Sequence, residues 1–157
     1  IFFGLIKVGG DPYVIEYNCR LGDPESEVIL PRLKSDLLHY FEGIATGTLS
    51  ECDLDIDPRT VTTVIAASGG YPESYEKGKT ISGLDNVDEA LVFHAGTKLN
   101  DNGSVETSGG RVLAVTGMGA DIETALKKSY AAIDKISFEG MTFRKDIGKD
   151  LIKEKVS

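Results

Sequence analysis

Glu16, Asn18 and Arg20 are spaced two apart in the stretch Val14-Ile15-Glu16-Tyr17-Asn18-Cys19-Arg20. Val14, Ile15 and Tyr17 favour strands, and Gly9-Gly10-Asp11-Pro12 ahead of them reads as a turn. Alternate side chains of a strand share a face, so the three would project together at steps of about 7 Å. A carboxylate, an amide oxygen and a guanidinium in one row suit a metal-bound phosphate. Mg²⁺ takes hard oxygen ligands and fills its shell with waters and phosphate oxygens, while arginine grips phosphate or carboxylate with two donors. A solvated polar face is the plainer alternative, because so short a pattern recurs by chance.

Gly22-Asp23-Pro24-Glu25 follows and turns the chain into an expected helix, with Asp23 as N-cap and Pro24 at the first helical position. The positive helix end would then lie beside the strand tip, where an anion is favoured.

The elements that must hold these residues can be read in order. Residues 2–8 and 13–18 form an antiparallel hairpin across the Gly9–Pro12 turn. Leu30, Leu33, Leu37, Phe41 and Ile44 trace one helical face, divided by Pro31, with Gly47 as C-cap. Residues 49–58 are an acidic connector; its alternating Glu51, Asp53, Asp55 and Asp57 lack the glycine and closing glutamate of a calcium loop. Residues 59–68 read as a central strand, followed by the Gly69-Gly70-Tyr71-Pro72 loop, where Lys77 and Lys79 fit a surface role best.

Further strands cover 91–94 and 112–116, and a hairpin with a two-residue turn is expected at Asn102-Gly103. Gly109-Gly110-Arg111 either presents N–H groups and a guanidinium to an anion or forms a turn with a surface ion pair. Gly117-Met118-Gly119-Ala120 begins like a dinucleotide fingerprint but lacks its third glycine. Asp121 caps a helix whose stripe runs Ile122, Leu126, Ser129, Ile133, Ile136. From Phe138 onward we expect a short strand, a loop and a frayed end. Mostly antiparallel strands with segregated helices make an α+β fold, with a soft boundary dividing 1–58 from 59–157.

Bulk properties narrow the function classes. The chain has 157 residues, 41% hydrophobic and 27% charged, and a net charge of -8. That balance argues against a general nucleic-acid or membrane-surface binder. Cys19 and Cys52 show no metal or disulfide pattern and point to a reducing cytoplasm; Cys19, out of phase with the polar row, is expected in the core. His94 has no ligand-forming neighbour and reads as structural or supporting. The chain opens at Ile1 inside an apolar strand, as a fragment would.

Glu16-Tyr17-Asn18-Cys19-Arg20-Leu21-Gly22-Asp23-Pro24-Glu25, with Leu33-Lys34-Ser35-Asp36-Leu37, closely resembles the phosphoribosylamine–glycine ligase (glycinamide ribonucleotide synthetase) family of ATP-grasp enzymes. The likeness continues through Gly70-Tyr71-Pro72, Val92-Phe93-His94-Ala95-Gly96-Thr97, Gly109-Gly110-Arg111-Val112-Leu113 and Asp146-Ile147-Gly148.

The resemblance implies that 1–58 is the end of an ATP-grasp domain and 59–157 a small β-rich C-terminal domain. It implies an ATP-dependent ligase that joins glycine to 5-phosphoribosylamine through a glycyl phosphate, in purine synthesis. Glu16 and Asn18 would hold Mg²⁺, or Mn²⁺ in its place. Arg20 would orient an anion, Asp23 and Glu25 would fix the turn and the amine side, and Gly109, Gly110 and Arg111 would face substrate. ATP is then a co-substrate, and the nucleotide cradle belongs to a missing N-terminal part, so the fragment alone is expected to be inactive. Another ATP-grasp ligase or carboxylase of purine or biotin chemistry is the nearer rival, and a non-catalytic acidic interaction module the more distant one.

Overall fold

The structure is a computed structural model that describes residues 2–153. Strands β1 (Phe2–Val8) and β2 (Asp11–Asn18) form the expected antiparallel hairpin. A four-stranded sheet in the order β4-β7-β3-β8 follows, from β3 (Thr60–Ser68), β4 (Ala90–His94), β7 (Arg111–Gly119) and β8 (Met141–Thr142). Its pairings are all antiparallel, and β3 and β7 are its inner strands. A small ladder joins β5 (Thr97–Leu99) to β6 (Val105–Thr107).

Helix α3 (Ile122–Ile133) covers one face of the sheet. Asp121 caps it as expected, its side chain accepting from the Thr124 N–H at 2.8 Å. Alternation along β3 turns Thr62, Val64, Ala66 and Ser68 inward, and Val64 and Ala66 join Leu113, Val115, Ala132 and Ile133 in one apolar cluster. Ile81, Ile136 and Phe138 close that cluster from the flanking loops. Ser129 interrupts the apolar stripe of α3 without cost in unsatisfied groups. Its hydroxyl accepts from the Gly117 N–H at 2.9 Å and meets the Thr62 hydroxyl at 2.8 Å. Gly117 and Gly119 bear no nucleotide fingerprint; a Cβ on either would strike the Ala125 backbone, so they let α3 lie directly on β7.

Pro31 divides the region after the hairpin more thoroughly than a kink would. α1 (Ser26–Ile29) has four residues, a 3-10 turn spans Leu30–Arg32, and α2 (Leu37–Thr46) restarts with Asp36 accepting from the Leu38 N–H. Gly47 ends α2 in the left-handed conformation expected of it.

The acidic connector is tied down by backbone bonds, Lys34 N–H to Asp55 and Asp57 N–H to Arg32, and by the Lys34–Asp55 and Arg59–Asp57 ion pairs. Arg59 donates to both oxygens of Asp57 and holds its carboxyl down to about 2. Lys79 pairs with Glu76 and Glu139, and Lys77 sits over the Tyr75 ring, so both lysines have the surface roles expected.

Three expectations need correction. The turn at Asn102-Gly103 is longer than two residues. Asn100 and Ser104 close it, the Gly103 N–H bonds to the Asn100 carbonyl, and Gly103 takes a left-handed φ of 79°. Cys19 is exposed rather than in the core, because the hairpin face it would share with Ile15 and Tyr17 is itself uncovered. The tail adds a short helix, α4 (Lys149–Lys153), beyond the strand and loop.

Candidate active site

Where β2 runs out, the chain folds into an open cleft of about 940 Å³ lined by Glu16, Asn18, Arg20, Asp23, Glu25 and, from the far sheet, Arg111. Glu16 pairs across the hairpin with Gly4, and Asn18 with Phe2, so the carboxylate and the amide lie on one face as the alternation required. Gly4 keeps that face open: a Cβ there would lie 2.8 Å from Glu16 Cγ. Among the described residues, neither the Glu16 nor the Asn18 side chain has a hydrogen-bond or ion-pair partner. Two hard oxygen donors thus face the cleft unengaged.

Arg20 reaches the cleft from outside the strand. Its Nη1 donates to the adjacent Leu21 carbonyl at 2.8 Å, which orients the guanidinium. The turn that follows is built differently from the expectation. The Asp23-Pro24 peptide is cis, α1 begins at Ser26 with Glu25 at the N-cap, and Asp23 caps nothing. Glu25 instead folds back to accept from the Gly22 N–H at 3.0 Å, while the Ser26 N–H and hydroxyl both donate to the Gly22 carbonyl. With α1 only four residues long, the expected dipole of a full helix end is not available to an anion here.

Asp23 is held from the other side of the molecule. Arg111 Nη2 meets Asp23 Oδ2 at 3.0 Å, and Arg111 Nη1 donates to the Asp23 carbonyl at 3.2 Å. Gly109 and Gly110 do not line the cleft wall; packing accounts for both. Gly109 lies against the Gly96 backbone, and a Cβ at Gly110 would collide with the Tyr71 ring. His94 is exposed and bonded through Nδ1 to Thr97 Oγ1 at 3.0 Å, away from the cleft. The contact that sequence reasoning missed is Arg111 to Asp23, 88 residues apart. Only the Gly-Gly-Arg pattern hinted at it.

An antiparallel sheet with one covering helix, preceded by a hairpin, is an architecture found in a known family. The chain belongs to the family described as phosphoribosylglycinamide synthetase, C domain, whose model matches residues 61–150. Among curated proteins it is 46% identical over 149 residues to phosphoribosylamine–glycine ligase of Neisseria meningitidis serogroup B, covering 94% of this chain and 35% of that protein. It is 45% identical to the bifunctional purine biosynthetic protein purD of Dictyostelium discoideum, over 87% of this chain and 17% of that one. The crystal structure of phosphoribosylamine–glycine ligase from Thermotoga maritima superposes with a TM-score of 0.72 at 38% identity, covering 92% of this chain and 35% of that chain. The chain thus spans about a third of the length of the single-function ligases it matches. No helix among the described residues is long and apolar enough to cross a membrane.

Proposed function

We propose that this chain is the C-terminal part of an ATP-dependent ligase that joins glycine to 5-phosphoribosylamine, giving glycinamide ribonucleotide, ADP and phosphate. Membership of the synthetase C-domain family supports the reading, and one observation carries it: Glu16 and Asn18 share a cleft face beside Arg20, with no side-chain partner among the described residues. Residues 1–58 are assigned to the end of an ATP-grasp domain and 59–157 to the small C-terminal domain. The exposed Phe3, Leu5, Tyr13, Ile15 and Tyr17 of the hairpin favour a place against further polypeptide of the longer protein. Two free cysteines suit a reducing cytoplasm.

The donor set fits a hard cation. Glu16 and Asn18 would hold Mg²⁺, or Mn²⁺, with the rest of its shell left to water and phosphate. When bound, the ion supplies charge neutralisation on ATP phosphates. The residues of this chain supply the rest. Arg20 offers planar donors to the acyl phosphate formed from the glycine carboxylate, or to that carboxylate itself. The Gly22–Ser26 turn fixes the direction from which the amine of phosphoribosylamine attacks. No nucleophilic side chain is needed, because positioning and charge stabilisation suffice for this class of reaction.

The test is ADP release by the complete native polypeptide with Mg-ATP, glycine and phosphoribosylamine generated in place, omitting each in turn. Release that needs both glycine and phosphoribosylamine is the expected result. Release without either, or none at all, would move the assignment to another ATP-grasp ligase or to a non-catalytic module. The fragment of 157 residues alone should neither bind ATP at micromolar concentration nor turn over.

A further inference from the structure

Two register shifts interrupt the strand pairings among the described residues, and both lie at cleft residues. In β2 the extra residue is Ile15, next to Glu16; in β7 it is Val112, next to Arg111. The second has a definite consequence. Ala66 faces α3 and pairs with Leu113, and Ala67, on the opposite face, pairs with Arg111. Strict alternation would give Arg111 the same face as Leu113, in the core. The extra Val112 is itself fully buried in that core, and Arg111 is released to the other face. There it reaches Asp23 through two donors, one to the carboxylate and one to the backbone carbonyl.

From this geometry, and resting on the ligase reading above, we infer that Arg111 is a positioning residue. It clamps the Gly22–Ser26 turn onto the antiparallel sheet and so sets the turn relative to Glu16 and Asn18. Three features support it. Asp23 is bound at both its side chain and its main chain, which fixes the backbone and not merely a charge. The turn's own bonds, from Gly22 to Glu25 and Ser26 to Gly22, are short-range; α1 anchors its trailing end against β3 and β7, so Arg111 is the contact that places its leading end at Asp23. Finally, each side chain is close to half exposed, so the clamp adds little to global stability; its effect lies in placement.

A double-mutant cycle in the complete native polypeptide tests this, with Asp23→Ala, Arg111→Ala and the pair. Each single change should lower kcat about 10- to 100-fold, as a displacement near 1 Å does, with little change in KM and an unaltered melting temperature. The double variant should be no worse than either single one. Arg111→Lys, which retains the charge but not both donors, should recover part of the loss. Effects that multiply, with a raised KM for one substrate, would overturn the inference and make Arg111 a direct substrate ligand. Full activity in all variants would overturn it too. Hydrogen exchange at the Gly22 and Ser26 amides gives a readout independent of turnover: Arg111→Ala should raise it, and unchanged exchange counts against the clamp. If the unmodified protein releases no ADP, the ligase reading fails, and the exchange experiment still decides the clamp.

Discussion

Val64, Leu113, Val115 and Ile133 are at most 1% exposed, whereas Phe3, Leu5, Tyr13, Ile15 and Tyr17 are each more than half exposed. The sheet and α3 bury their apolar side chains against one another, and the buried hydroxyls of Ser129 and Thr62 satisfy each other. The hairpin has no such cover. Its one aromatic contact, Phe3 against Tyr17 with centroids 5.3 Å apart, lies on its own surface. A two-stranded hairpin is marginal by itself. The proposed phosphate chemistry therefore sits on the segment that supports itself least, and the self-supporting segment contributes the clamp from Arg111. Stability and chemistry are separable here, and four measurements can test the separation.

The largest contrast should appear in native-state hydrogen exchange of the isolated chain. Amides of β3, β7 and α3 should exchange at least about a thousandfold more slowly than those of β1 and β2, because they open only with the global transition. Equal protection would mean that the hairpin is held by something beyond the contacts described. In the complete polypeptide, Glu16→Gln should cut kcat by more than about 100-fold, exceeding the usual effect of groups behind a metal ligand. Its melting temperature should stay unchanged, since the Glu16 side chain has no partner among the described residues.

Ser129→Ala makes the converse change. It strands the buried Gly117 N–H and should destabilise by about 1–3 kcal/mol in urea unfolding, with KM for each substrate unmoved. The smallest effect concerns Asp57. Arg59 lowers its folded pKa, so the pair contributes its full stability above the ordinary carboxyl value of 3.8 and loses it as pH falls through about 2. In Arg59→Gln the Asp57 carboxyl should titrate nearer 3.8 by NMR, and the acid-side contribution should shrink to what the backbone N–H of residue 59 still supplies.

Much of the fold was legible because its signals are local. Alternation marked β3, an N-cap aspartate marked the start of α3, and a terminal glycine marked the end of α2. The candidate site was legible in which residues would gather and only partly in its geometry. The Glu16 and Asn18 spacing survives in the structure, but Asp23-Pro24 does not begin a helix, since Glu25 takes the N-cap position and the chain reaches α1 through a separate turn. Gly109-Gly110-Arg111 read either as an anion nest or as a turn with an ion pair; in the structure a neighbour occupies the space beside each glycine, and Arg111 pairs with Asp23. The face of Arg111 could not be read at all. One inserted residue reverses the parity of a strand, and nothing in Arg111-Val112-Leu113 announces the insertion.

The packing of Tyr71 over Gly110 has a consequence for descent as well as for shape. The ring occupies the volume that any β-carbon at 110 would need. A lineage that enlarges position 110 must first, or at the same time, shrink or move the residue at 71. These two sites, 39 positions apart by their numbers, are therefore coupled in one direction: an alanine at 110 should be tolerated only in genetic backgrounds already altered at 71.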